Sequence, residues 1–177
     1  MNIPLVGILM GSDSDLSVMK DAAEVLEKEF GILSEVHTLS AHRTPDAVVG
    51  YVKKAEADGY KLFICGAGGA AHLAGVVAAH TSLPVIGVPI QNRAAAGIDA
   101  LFSTVQMPPG IPVATVAIHG AKNAGILAAQ IIGTGEAEVR AKVIAYKEKM
   151  AKDIVAKDQE LQEKGFKKYL EDHGLIK

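Results

Sequence analysis

Tryptophan is missing from this chain of 177 residues, and cysteine occurs once, at Cys65. A lone cysteine excludes an intrachain disulfide and a cysteine-built zinc cluster, and it fits a reducing cytoplasm. Net charge is equally scarce. The 18 lysines and arginines stand interspersed among 20 acidic residues, for a formal charge of -2. Such a chain has no field of one sign to attract a nucleic-acid backbone or an anionic membrane, so neither is expected as a partner. An anionic ligand must be held locally. Long apolar runs are also missing, and none approaches the roughly 18 residues of a membrane span. The opening MNIPLVGILMGSDSD lacks the basic flank of a signal peptide and runs straight into a polar turn, so it reads as a buried strand. Repeats, low-complexity tracts and interdomain linkers are absent as well.

What remains is a chain that is 49% hydrophobic, long enough for one well-buried core and too short for two ordinary domains. One domain is expected over residues 1–177, a core over 1–133 and a helical extension over 136–172. Apolar runs at 3–10, 32–39, 61–67, 83–89 and 112–118 read as five strands, most of them apolar on both faces. Helical patterns lie between them. The first, 14–30, aligns Leu16, Met19, Ala23, Leu26 and Phe30 on one stripe and ends at Gly31, a left-handed cap. The second opens with Thr44 as N-cap, Pro45 at the first helical position and Asp46 at the positive end of the dipole, and stops near Gly59. Further helices are expected at 71–80, 94–104 and in KNAGILAAQII. Strict alternation of this kind predicts a three-layer αβα fold, a parallel five-stranded sheet of flavodoxin-like order with helices on both faces and right-handed crossovers.

The last 40 or so residues differ in character. From 136 to 164 the chain is highly charged, with Val139, Val143, Tyr146, Met150 and Ile154 forming one apolar seam. A helix of that length runs about 44 Å, longer than a small domain is wide. Its far end is expected to pack on another subunit, the alternative being a solvated helix lying back on its own domain. The tail GFKKYLEDHGLIK reads as either a last short helix or a free end.

Ligands of open parallel sheets bind beyond the carboxyl ends of the strands, and three unusual loops follow strands there. In GSDSD, Ser12 and Ser14 bring hydroxyls and Asp15 an acceptor for a sugar diol, although Ser12 and Asp15 taken alone read as helix caps. The loop has neither G-x-G-x-x-G spacing nor a Walker lysine. In GAGGAAH, the small residues from Gly66 through Ala67, Gly68 and Gly69 let a flat ring approach the backbone, or alternatively serve close helix-sheet packing. His72 stands at its far end. In SAHRTP, Ser40, Arg43 and the N–H groups of the helix opened by Thr44 and Pro45 make an anion site suited to a phosphate monoester. His42 is then left beside the anchored substrate, able to give and take a proton near neutral pH.

Other candidates are weaker. His37 alternates with apolar residues in a strand, His80 ends a helix, His119 is placed where it could line the cleft, and His173 is in the tail. None has the spacing of a metal site. Cys65 reads as an inert buried thiol, and QMPPGIP as a rigid loop that walls the cleft or a subunit contact.

Together, MGSDSD, SAHRTPD, AGAGGAAHL, PVIGVP and VQMPPGIPVATVAI closely resemble the N5-carboxyaminoimidazole ribonucleotide mutase family, the class I catalytic subunits of phosphoribosylaminoimidazole carboxylase. The resemblance runs from about Leu5 to Gln130 with matching order and spacing. It implies a homo-octamer with C-terminal helices reaching neighbouring subunits, active sites at subunit junctions, and transfer of a carboxylate from N5 to C4 of the aminoimidazole ribonucleotide without metal, ATP or other cofactor. It also implies a functional link with the ATP-dependent synthetase that makes the substrate. The family's catalytic histidine falls on His42. Its substrate positions fall on Ser12, Asp15 and Arg43, with Ser40 and the loop from Gly66 to Leu73 around phosphate and ring. Two features depart from the family: Ala74 stands where proline is common, and AIHGAKNAG is shorter than usual. The rival readings are the family's class II reaction, direct carboxylation of aminoimidazole ribonucleotide, and a non-catalytic nucleotide-binding module.

Overall fold

The computed structural model describes residues 5–92 and 95–175. Its strands are β1 Val6–Met10, β2 Ser34–Thr38, β3 Leu62–Gly68, β4 Val85–Ile90 and β5 Ala114–Thr115. They form one parallel sheet in the order β2-β1-β3-β4-β5. The helices are α1 Leu16–Val25, α2 Pro45–Ala57, α3 Leu73–Ala78, α4 Ile98–Val105, α5 Ala121–Gly133, α6 Ala137–Lys164 and α7 Phe166–Asp172. This is the flavodoxin-like arrangement that the β-α alternation predicts. Among the described residues no helix is long and apolar enough to cross a membrane.

Strand side chains alternate between faces, and each face carries its own core. Ile8, Met10, Ile64, Ile86 and Val88 pack with α1 and α5 residues on one side. Leu9, Phe63 and Cys65 pack with Val48, Val52 and Val77 of α2 and α3 on the other. Both faces being covered explains the continuous apolar runs of the central strands. The two edges depart from that pattern. β2 leaves Glu35, Val36, His37 and Thr38 partly or fully exposed. β5 pairs over two residues only, Ala114 and Thr115 opposite Ile86 and Gly87, where 112–118 was expected.

Helix boundaries follow local chemistry. A 3₁₀ turn, Asp13–Asp15, precedes α1, and a wide π turn, Leu26–Phe30, follows it and closes on Gly31 at φ 65°. Leu16 does not join the buried stripe: at the start of α1 it is 47% exposed, and Ala22 and Val25 join Met19, Leu26 and Phe30 instead. Helix α3 is shorter than the expected 71–80, and the expected start of α4 at Ala94 lies outside the described residues. Met107 of the proline-rich loop rests against Gly75 of α3, and the loop does not wall the cleft described below.

The long helix behaves as two halves. Val143 and Tyr146 are buried against the domain, Tyr146 edge-on to Phe30 at 5.4 Å, and Lys142 Nζ donates to the Phe30 carbonyl at 2.9 Å. Beyond them the seam emerges. Met150 and Val155 are exposed, Ile154 is 64% exposed and Phe166 of α7 is 65% exposed.

Candidate active site

The loops after β1, β2 and β3 converge at the carboxyl end of the sheet around a cleft of about 720 Å³. The end of β4 contributes Ile90, and a fourth loop after it contributes Gln91 and Asn92.

The first loop is self-capped. Ser12 Oγ accepts from the Ser14 N–H at 3.4 Å, and Asp15 Oδ2 accepts from the Ser12 N–H at 3.1 Å. The capping reading of both residues therefore holds, and both also line the cleft with Ser14. Burial raises the Asp15 carboxyl above its ordinary value, opposed by the Ser12 backbone bond, the Ser14 hydroxyl and the Arg43 charge.

The second loop is braced from within. Thr44 holds the N-cap position of α2, but its hydroxyl turns back to Ser40, accepting from the Ser40 N–H at 3.0 Å and donating to the Ser40 carbonyl at 3.1 Å. Ser40 is nearly buried, and its Oγ accepts from both the backbone N–H and Nε of Arg43 at 3.3 Å. Arg43 Nη2 reaches across to donate to the Gly11 carbonyl. The guanidinium thus ties the first two loops together. These bonds use two of its five donors, so the group is fixed in place while N–H groups remain for an anion. Because Thr44 does not cap, the first N–H groups of α2 also keep their capacity for an anion.

In the third loop the expected residues separate. Ala67, Gly68, His72 and Leu73 line the cleft, with Ala70 beside them. Gly66 lies in the buried part of β3, where a Cβ would stand 2.3 Å from Met19 Sδ, so close packing accounts for that glycine. Gly69 turns the chain at φ 64° and does not line the cleft. Gly68 permits close approach as well, since a Cβ there would be 2.9 Å from the Ile90 carbonyl oxygen.

His42 and His72, 30 residues apart, meet across the cleft with Nε2 and Nδ1 at 2.9 Å and rings 76° apart. One proton fits between these nitrogens, so one ring donates and the other accepts. A proton carrier is thereby aimed into the cleft, beside a fixed cation.

The remaining candidates lie elsewhere. His37 Nε2 is 3.1 Å from Glu35 Oε1 with its ring on Tyr51. His80 Nδ1 bonds the Val76 carbonyl at 2.8 Å, and His173 Nε2 is 3.2 Å from Glu160 Oε1. His119 does not line the cleft, but its Nε2 accepts from the Gln91 N–H at 3.0 Å. Burial pushes the Cys65 thiol well up, which suits an inert core residue. Among the described residues no three His, Cys, Asp or Glu side chains gather into a metal-binding group. Sequence reasoning missed Ala41 and the fourth loop; the only signal for that loop was position, immediately after a parallel strand.

Comparison with known proteins places this geometry in context. The family model described as AIR carboxylase matches residues 5–153. A Thermotoga maritima protein named N5-carboxyaminoimidazole ribonucleotide mutase is 58% identical over 168 residues, covering 95% of this chain and 98% of that protein. A Pyrococcus horikoshii protein of the same name is 54% identical over 96% of this chain and 95% of its own length. Among solved structures, Treponema denticola PurE superposes with a TM-score of 0.82 at 38% identity, over 89% of this chain and 98% of that one.

Proposed function

This chain belongs to the AIR carboxylase family, and on that premise we propose how its cleft works as an N5-carboxyaminoimidazole ribonucleotide mutase. The enzyme converts N5-carboxyaminoimidazole ribonucleotide to 4-carboxy-5-aminoimidazole ribonucleotide in purine biosynthesis; the names of its relatives favour this class I reaction over direct carboxylation and over a non-catalytic module.

The observation that carries the site assignment is His42 Nε2 held by His72 in a cleft that Arg43 and the small residues Ala67, Gly68 and Ala70 also line. The substrate phosphate is held by Arg43, Ser40 and the free N–H groups at the start of α2. Ser12 and Asp15 take the ribose hydroxyls, and Gly66, Gly69 and Leu73 support the wall on which the ring lies. His42, protonated, gives its proton to N5 as the bond from N5 to the carboxyl carbon breaks, leaving the amine and carbon dioxide. The electron-rich C4 then attacks the retained carbon dioxide. Neutral His42 removes the C4 proton, which restores aromaticity and returns the histidine to its starting state. The β3 wall acts by keeping carbon dioxide close and water out. No cofactor enters this scheme.

The exposed seam of α6 and the exposed Phe166 support packing on neighbouring copies, with a homo-octamer as the assembly and sites completed at subunit junctions. Residues 1–177 form one domain in this reading, 1–133 the core and 136–172 the extension. The free, buried Cys65 fits a cytoplasmic enzyme, and an ATP-dependent synthetase is the expected source of the unstable substrate. The test is to supply N5-carboxyaminoimidazole ribonucleotide, and separately aminoimidazole ribonucleotide with bicarbonate, to the purified chain. Turnover of the first alone is expected; turnover of the second alone would assign the class II reaction instead.

A further inference from the structure

The geometry points to His119 as a positioning residue for the fourth loop of the cleft, acting through its Nε2 as an acceptor for the Gln91 N–H. This rests on the mutase reading above. His119 sits at φ 59°, one of two non-glycine residues with positive φ among the described residues, the other being Ala96 at 53° in the very loop that His119 holds. Strain of this kind persists only where surrounding bonds over-determine it.

The register of the sheet explains the arrangement. The β4-β5 ladder ends at Gly87 opposite Thr115, and β4 continues through Pro89, which has no N–H to offer a neighbour. The Val116 N–H donates to the Gly87 carbonyl at 3.0 Å and the His119 N–H to the Pro89 carbonyl at 2.9 Å, three residues advancing on one side against two on the other. The extra residue and the Ala117 to Gly120 turn, closed at 2.8 Å, bring the imidazole over the end of β4. There Nε2 takes the Gln91 N–H that a continuing strand would have paired. A backbone N–H can only donate, so Nε2 carries the lone pair and the neutral ring keeps its proton on Nδ1.

Gln91 and its neighbour Asn92 line the cleft. Asn92 is in turn tied to the start of α4, its Nδ2 donating to Asp99 Oδ2 at 3.0 Å while its Oδ1 accepts from the Ala95 N–H at 3.4 Å. His119 therefore fixes Gln91, where the chain leaves the sheet, and Asp99 fixes the adjacent Asn92. Substrate meets a preformed wall rather than one that must be ordered on binding.

Steady-state kinetics of two variants of the full chain, His119→Gly and His119→Gln, test this. Glycine removes the acceptor but suits a positive φ better than histidine; glutamine keeps an acceptor of similar reach. His119→Gly is expected to raise KM about fivefold with kcat changed by less than about twofold and Tm unchanged or higher, while His119→Gln restores KM to within about twofold of the wild type. Hydrogen exchange at the Gln91 amide should quicken in His119→Gly and not in His119→Gln. A wild-type KM in the glycine variant, an equal rise in both variants, or an unaltered Gln91 exchange rate would overturn the assignment. Absence of turnover in the wild-type chain would overturn the mutase reading instead, and the exchange measurement would still judge the contact.

Discussion

The two walls of the cleft are built on opposite plans. The wall from β1 and β2 is polar and cross-bonded: Arg43 joins Ser40 to Gly11, Thr44 braces Ser40, and Asp15 closes on Ser12. The wall from β3 and β4 is made of small or apolar groups, Ala67, Gly68, Ala70, Leu73 and Ile90, with His72, Gln91 and Asn92 as its polar members. The contrast teaches a division of work. In the proposed mechanism one wall fixes charge and position for a phosphorylated substrate, and the other leaves room for a flat ring and a small uncharged molecule. His42 belongs to the first wall and bonds to the second, so the proton carrier stands at their junction.

Replacing His42 should break the comparison at its centre. His42→Asn is expected to lower kcat by about a thousandfold or more while ligand affinity changes little, because general acid-base groups act on the transition state. Turnover assays and calorimetric product binding on one preparation check both halves. Arg43→Ala attacks the polar wall alone. Loss of a fixed charged donor costs about 2 kcal/mol, so KM should rise about thirtyfold with a smaller change in kcat. A matching substitution on the small-residue wall, Ala70→Leu, should leave phosphate affinity near the wild type and act on turnover, which separates the two plans.

Asp15→Asn has the smallest expected effect and sharpens the comparison through pH. Burial raises the Asp15 carboxyl above 3.8, so the folded chain holds that proton more tightly than the unfolded one. The group's contribution to stability therefore falls as pH rises through the interval above 3.8. Removing the carboxyl should flatten Tm against pH across that interval and leave Tm near neutrality equal or higher, while KM rises about fivefold through loss of a charged acceptor. Thermal melts across the acid range with parallel kinetics read both.

Much of this was legible before any coordinates. Apolar runs separated by amphipathic ones dictate a parallel sheet, and the Thr44, Pro45 and Asp46 start of α2 is readable because each residue serves a different helix-start need. The order of the sheet then brings the three loops together. What stayed hidden depends on register and angle. The His42–His72 contact arises only once β3 lies beside β1, and nothing local in QN after PVIGVPI distinguishes a cleft wall from an ordinary loop. The glycines of GAGGAAH serve different ends because β3 runs on to Gly68, turning Gly66 toward Met19. Thr44 sits where a cap belongs, yet bonds Ser40, since a hydroxyl at that position has two partners within reach and sequence does not rank them.

The division of work between the walls is tested most directly by following the carboxyl carbon. Substrate carrying an isotopically labelled carboxylate is turned over by the full chain in excess unlabelled bicarbonate, and the label in the 4-carboxy product is measured. A small-residue wall that confines carbon dioxide predicts near-complete retention in the wild type and a clear loss in Ala70→Leu. A wild-type product whose carboxyl has equilibrated with the surrounding bicarbonate would contradict the account.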